Sequence, residues 1–167
     1  MERWRNVVVG SGFLISLVLA AGSALEASGL TFVSHLDNGR RIYMSGVTAQ
    51  GQVIQNSHGM EGVGCAMCHD PNGTGGSMHG IAAPNITFAF LTDPRGYEHP
   101  TGRKRPAYHE ETIKAAIVAG MDSGGNRLHP EMPRWTGLTA KDVDDLIGYL
   151  KTLNTTRPRT YEGSHGL

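Results

Sequence analysis

Cys65 and Cys68 are the only cysteines among 167 residues, and His69 directly follows the second of them. With two Cys and eight His in the chain, random placement yields this run with odds of about six in ten thousand, so chance is a poor explanation. Two thiols three positions apart can add across the two vinyl groups of a porphyrin, and the adjoining imidazole is then close enough to meet the iron. The run Cys65-Ala66-Met67-Cys68-His69 therefore reads as a covalent haem attachment site. A chain wrapped around such a group takes part of its core from the cofactor. That suits 23 glycines, about twice the usual share, which assign much of the chain to loops.

Other uses of a Cys-x-x-Cys pair fit less well. A redox disulfide expects a strand-to-helix setting within a βαβ pattern, which neither flank offers. A structural zinc needs four ligands, and no second cysteine pair completes the set. Both thiols are consumed by the expected thioethers, so no disulfide framework remains. Formal charge is balanced at 15 basic and 15 acidic residues, giving neither a basic field for nucleic acid nor an acidic tail for a cationic partner. No nucleophile with a base, no paired carboxylates and no phosphate loop marks a small-molecule substrate site.

Arg3 and Arg5 precede an apolar stretch from Val7 to Ala24 that ends in small residues. This is the layout of a secretory signal, cleaved behind Ala24, or of an N-terminal membrane anchor that stays. The expected organisation is residues 1–24 as signal peptide or anchor, 25–154 as the haem domain, and 155–167 as a polar C-terminal tail. The mature domain is expected in the periplasm or otherwise outside the cytoplasmic membrane, free or tethered by the N-terminal segment.

Three helices are legible. Leu36–Ser45 places Leu36, Tyr43 and Met44 on one face and stops at Gly46; Glu110–Ala119 opens with acidic residues, aligns Ile113, Ala116 and Ile117, and stops at Gly120. The third starts at a capping box of Thr139 and Asp142 and carries Val143, Leu146, Ile147, Leu150 and Leu153 at helical spacing. Between them run long loops. Val47–Gly64 and Thr92–Pro106 are expected on the surface, with at least one near an exposed haem edge. The cluster Arg95, Arg103, Lys104 and Arg105 reads either as an ordinary solvated loop or as an electrostatic docking patch.

With His69 on one side of the iron, Met132 is the expected sixth ligand. It sits in the rigid segment Pro130-Glu131-Met132-Pro133 between the second and last helices. Met121, just after the second helix, is the rival methionine. His129, His79, His58 and His109 are rival imidazoles, and an iron left open is the remaining alternative.

In order along the chain, the Gly39/Tyr43 helix, the Cys65–His69 run, Ala83-Pro84-Asn85-Ile86, the Glu110–Ala119 helix, Met132-Pro133 and the helix with Tyr149 and Leu150 resemble the class I monohaem cytochromes c. The resemblance spans Leu36 to Leu153. It implies an all-α fold: a small helical domain with long loops around one covalent haem c and its iron, the first and last helices crossing through Gly39 and Tyr43 against Tyr149 and Leu150. It further implies that the Pro84 carbonyl accepts a hydrogen bond from the His69 ring, and that Trp135, Tyr97 and Arg134 are candidate haem-edge or propionate contacts. The departure from the family pattern is the length of the loop before the attachment site. The implied function is one-electron transfer between redox protein partners by an exported carrier. The alternatives are a permanent cytochrome subunit of a larger membrane oxidoreductase or respiratory complex, and a haem enzyme or sensor with open iron.

Overall fold

The computed structural model describes residues 35–153; the expected leader of residues 1–24 and the tail of residues 155–167 lie outside them. Helix α1 covers residues 35–45. It is followed by α2 (Ala66–His69), strands β1 (Gly76–Met78) and β2 (Ile81–Ala83), α3 (Phe88–Leu91), strands β3 (Tyr97–Glu98) and β4 (Lys104–Arg105), α4 (Glu110–Ala119) and α5 (Ala140–Leu150).

Two antiparallel hairpins overturn the all-α expectation: helix accounts for 34% of the described residues, and β1 pairs with β2 and β3 with β4. The cause of the first is local. His79 and Gly80 both take positive φ, 52° and 79°, which is the requirement of a two-residue primed turn whose twist matches that of antiparallel strands. The second hairpin closes through His99 N–H to Arg103 O at 2.8 Å and Gly102 N–H to His99 O at 2.7 Å. Strands of two or three residues are too short to show an alternating pattern in sequence.

The core lies where α1, α4 and α5 meet, with Ile42, Tyr43, Ile113, Ile117, Leu146 and Ile147 all buried. α5 starts as its capping box dictates: Thr139 Oγ1 accepts from the Asp142 N–H, and the Asp142 carboxylate accepts from the Thr139 N–H at 3.0 Å. α1 can cross α5 closely because Gly39 has no side chain. A methyl group there would stand 2.6 Å from the Asp145 carbonyl carbon and 2.9 Å from Tyr149 Cβ. One turn on, the Tyr43 and Tyr149 rings pack with centroids 5.3 Å apart.

A polar cluster fixes the same crossing. The buried Asp145 carboxylate accepts from Asn38 Nδ2 at 2.8 Å and Lys141 Nζ at 2.6 Å, and meets His35 Nδ1 at 2.5 Å. Burial pushes the Asp145 carboxyl up, but the bonds from Lys141, His35 and Asn38 outweigh it and hold the group below the ordinary carboxylate value. The folded state therefore favours the ionised form. That stability is present above the unfolded-state value of about 3.9 and is lost as pH falls through the lower folded-state value. Asp145→Asn should flatten the acid side of the stability curve. Thermal melts at pH 6 and pH 3 check this: the wild-type drop between the two should shrink in the variant.

Neither long loop is simply surface. In the first, Thr48, Ile54 and Asn56 are buried, and the Asn38 side chain accepts from Ala49 N–H at 2.7 Å. The second forms the β3–β4 hairpin and buries Arg105. No helix among the described residues is long and apolar enough to cross a membrane.

Candidate functional site

Cys65 is the N-cap of α2, and the amide N–H groups of Cys68 and His69 both donate to its carbonyl, at 3.2 and 3.0 Å. One helical turn thus brings residues i, i+3 and i+4 to one side, which is what two thiols and an imidazole directed at a single group require. Met67, between them, is 55% exposed and borders the same cavity. Burial pushes the Cys65 thiol up to about 12 and raises Cys68 as well, with the Glu131 charge adding to the latter. That is the opposite of the lowered value that activates a redox or nucleophilic Cys-x-x-Cys pair.

The His69 ring is buried, and its Nδ1 lies 2.8 Å from the carbonyl oxygen of Pro84. A carbonyl only accepts, so Nδ1 carries the proton. Burial lowers the imidazole, with the Pro84 bond acting against it. The ring is therefore neutral near pH 7 and leaves an unprotonated Nε2 lone pair, the form that ligates a metal.

All three residues line a cavity of about 1210 Å³, larger than the ~300–1,000 Å³ usual for a small-molecule pocket. Its walls are mostly apolar: Ile113 and Ile117 from α4, Leu146 and Leu150 from α5, and Trp135 from the loop between them. Met132 and Pro84 line it too, so every residue expected at the site from sequence borders one space. Among the rivals, Met121 and His109 do not line the cavity, whereas His58, His79 and His129 do.

A family model described as Cytochrome c matches residues 37–154. The chain belongs to the cytochrome c family. Searches of curated proteins and of solved structures returned no match. Membership supplies the cofactor class, haem c with its iron, and the chemistry, haem-based electron transfer with redox protein partners.

The residues of this cytochrome fit that group on grounds of their own. An apolar cavity of sufficient volume carries a neutral imidazole and two thiols on one wall. It also holds a buried guanidinium that makes no ion pair among the described residues. Arg105 is 8% exposed; its Nη1 donates to the carbonyls of Leu91 and Pro106, and its charge lies over the rings of Tyr108, Tyr97 and Phe90 at 4.5, 5.5 and 5.8 Å. Buried charge of one sign calls for an anion, and a haem carries two carboxylates.

The basic loop is corrected accordingly. Arg105 is interior, Arg103 pairs at 3.3 Å with the fully buried carboxylate of Asp122, and Arg95 is held by Asp93 at 2.5 Å. Arg95 and Lys104 are the exposed members, Lys104 paired with Glu98 at 3.2 Å. The solvated-loop reading holds for Arg95 and Lys104, whereas Arg103 and Arg105 are turned inward. Sequence reasoning missed Arg105 as an interior group, and no local spacing signals it. Tyr97 and Trp135 border the cavity. Arg134 does so as well, but its guanidinium is occupied by main-chain carbonyls.

Proposed function

We propose that this cytochrome binds one haem c covalently through Cys65 and Cys68, with His69 and Met132 as the residues that would hold its iron, and serves as an exported one-electron carrier. The observation that carries the reading is the set on α2: two thiols and a neutral imidazole, its Nδ1 anchored on Pro84 O, facing one large apolar cavity. When bound, the haem supplies a metal that changes charge by one electron.

The chain's part is to hold, orient and shield. Cys65 and Cys68 would hold the group by thioethers, an addition of S–H to a vinyl group that needs no oxidant. The Pro84 carbonyl fixes the His69 tautomer and strengthens the imidazole as a ligand. The methionine sulfur favours the ferrous state, and the walls of Ile113, Ile117, Leu146 and Leu150 exclude water. Arg105 would supply the positive charge that meets the haem carboxylates.

Met132→Ala tests the ligand set. The weak near-infrared sulfur-to-iron band of the ferric protein should vanish, and the potential should fall by on the order of 0.2 V, part of the ~0.8 V span that axial ligands command. Retention of the band in Met132→Ala would reject the assignment.

Haem attachment of this type takes place after export, and the apolar run Val7–Ala24 behind Arg3 and Arg5 has export character. We place the mature domain outside the cytoplasmic membrane on that basis. Intact mass then separates the two forms: a chain beginning at Leu25 is a released carrier, and one retaining Met1 is an anchored cytochrome.

A further inference from the structure

The segment from Leu128 to Trp135 has no regular secondary structure, and its two prolines give it two fewer amide donors. Something else has to fix its shape. The Arg134 guanidinium does so: Nη1 donates to the Met132 carbonyl, and Nη2 to the carbonyls of Leu128 at 3.0 Å and His129 at 3.5 Å. Among the described residues no carboxylate pairs with Arg134, so its charge is spent on the main chain of this one loop. The Arg134 backbone is anchored in turn, its N–H donating to Ser57 Oγ at 2.9 Å and its carbonyl accepting from the Ser57 N–H at 2.8 Å.

The end of α4 is shaped to admit the side chain. Gly120 terminates the helix at φ +68°, and a methyl group there would overlap Nε of Arg134 and stand 2.6 Å from its Cδ. Gly120 is therefore required twice, for its left-handed backbone and for the space above it. Its carbonyl also accepts from the Leu128 N–H at 2.9 Å, tying the start of the loop to the same point.

We propose that Arg134 is a positioning residue that holds Met132 against the iron, a role that rests on the reading of Met132 as the sixth ligand. One bond reaches the carbonyl of the ligand's own residue, and two more tie that residue to the beginning of the loop. Withdrawing the thioether from the iron strains or breaks these bonds, which makes Met132 harder to displace. Arg134 touches neither the iron nor a substrate in this account; it acts through the loop.

The test uses ferric holoprotein and imidazole, which competes with Met132 for the iron, titrated against loss of the near-infrared band. Arg134→Gln should bind imidazole about tenfold more tightly, corresponding to about 1.4 kcal/mol. Arg134→Lys, which keeps the charge but cannot span three carbonyls, should show a smaller rise, and it carries the test alone should the glutamine variant fail to take up haem. A merely structural role would lower the melting temperature and leave this affinity unchanged at temperatures where the protein is folded. Wild-type imidazole affinity in the variants, with the band lost in Met132→Ala, overturns the role of Arg134 and leaves the ligand standing. A band that persists in Met132→Ala overturns both.

Discussion

Replacing both Cys65 and Cys68 with serine should release the haem: in acidified acetone the colour should leave the protein, whereas the wild type keeps it and gives a haem-stained band after denaturing electrophoresis. Serine has nearly the same shape, so the helical turn from Cys65 to His69 has no reason to change. What is lost is the sulfur that adds to the vinyl groups. His69 still presents its lone pair, anchored on Pro84 at 2.8 Å, and any haem retained by the variant would be held only by its iron ligands and apolar contact. The consequence reaches the fold, because the cavity of about 1210 Å³ is bordered by the core residues Ile113, Ile117, Leu146 and Leu150. Without the group that fills it, those faces lose their partner, and empty apolar volume is costly. The double variant should therefore also melt well below the wild type. Haem that stayed with the protein in acid-acetone would rule out thioether attachment.

Gly39→Ala should be strongly destabilising. The added carbon would overlap the Asp145 carbonyl oxygen and lie 2.6 Å from its carbon, within the backbone of α5. A side chain can rotate away from such a contact; a helix backbone cannot, so α1 must lift from α5. The Tyr43–Tyr149 packing and the bonds from His35 and Asn38 to Asp145 would be disturbed together. A loss of about 3 kcal/mol is expected, at the upper end for overpacking, with a fall in melting temperature on the order of 10 °C for a domain of this size. Gly148→Ala, where the nearest atom is Leu36 Cδ2 at 4.0 Å, is the control and should be nearly neutral or slightly stabilising.

The parts legible in the sequence were those with a local rule. α1, α4 and α5 each run ten residues or more, with Gly46, Gly120 and the Thr139–Asp142 capping box at the ends the sequence signals, although Met44 is exposed and α5 stops at Leu150, short of Leu153. Cys65, Cys68 and His69 were legible because one turn of helix turns a spacing into a shared face. Met132 stood out through its flanking prolines, and it borders the cavity. The hairpins were hidden because strands of two or three residues hold too little pattern. His79-Gly80 makes the turn with a histidine in the left-handed position where asparagine or aspartate is the familiar signal. Arg105 was misread because the rings that cover it, Phe90, Tyr97 and Tyr108, come from three separate segments. Its burial is a property of tertiary assembly. The loop 47–64 was read as surface from its glycines and polar residues, yet Ile54 and Asn56 turn inward and Ser57 meets Arg134. The Arg134 clamp and the room for it at Gly120 join positions fourteen residues apart, and no spacing rule announces them.

An equilibrium redox titration of the purified holoprotein, followed by its optical spectrum and in parallel by thiol labelling, tests the central claim most directly. A one-electron haem centre changes its reduced-to-oxidised ratio tenfold for every ~59 mV, with no thiol appearing at any potential because both sulfurs are bound in thioethers. A tenfold change for every ~30 mV, accompanied by two titratable thiols at Cys65 and Cys68, would instead be a dithiol–disulfide couple and would contradict the account.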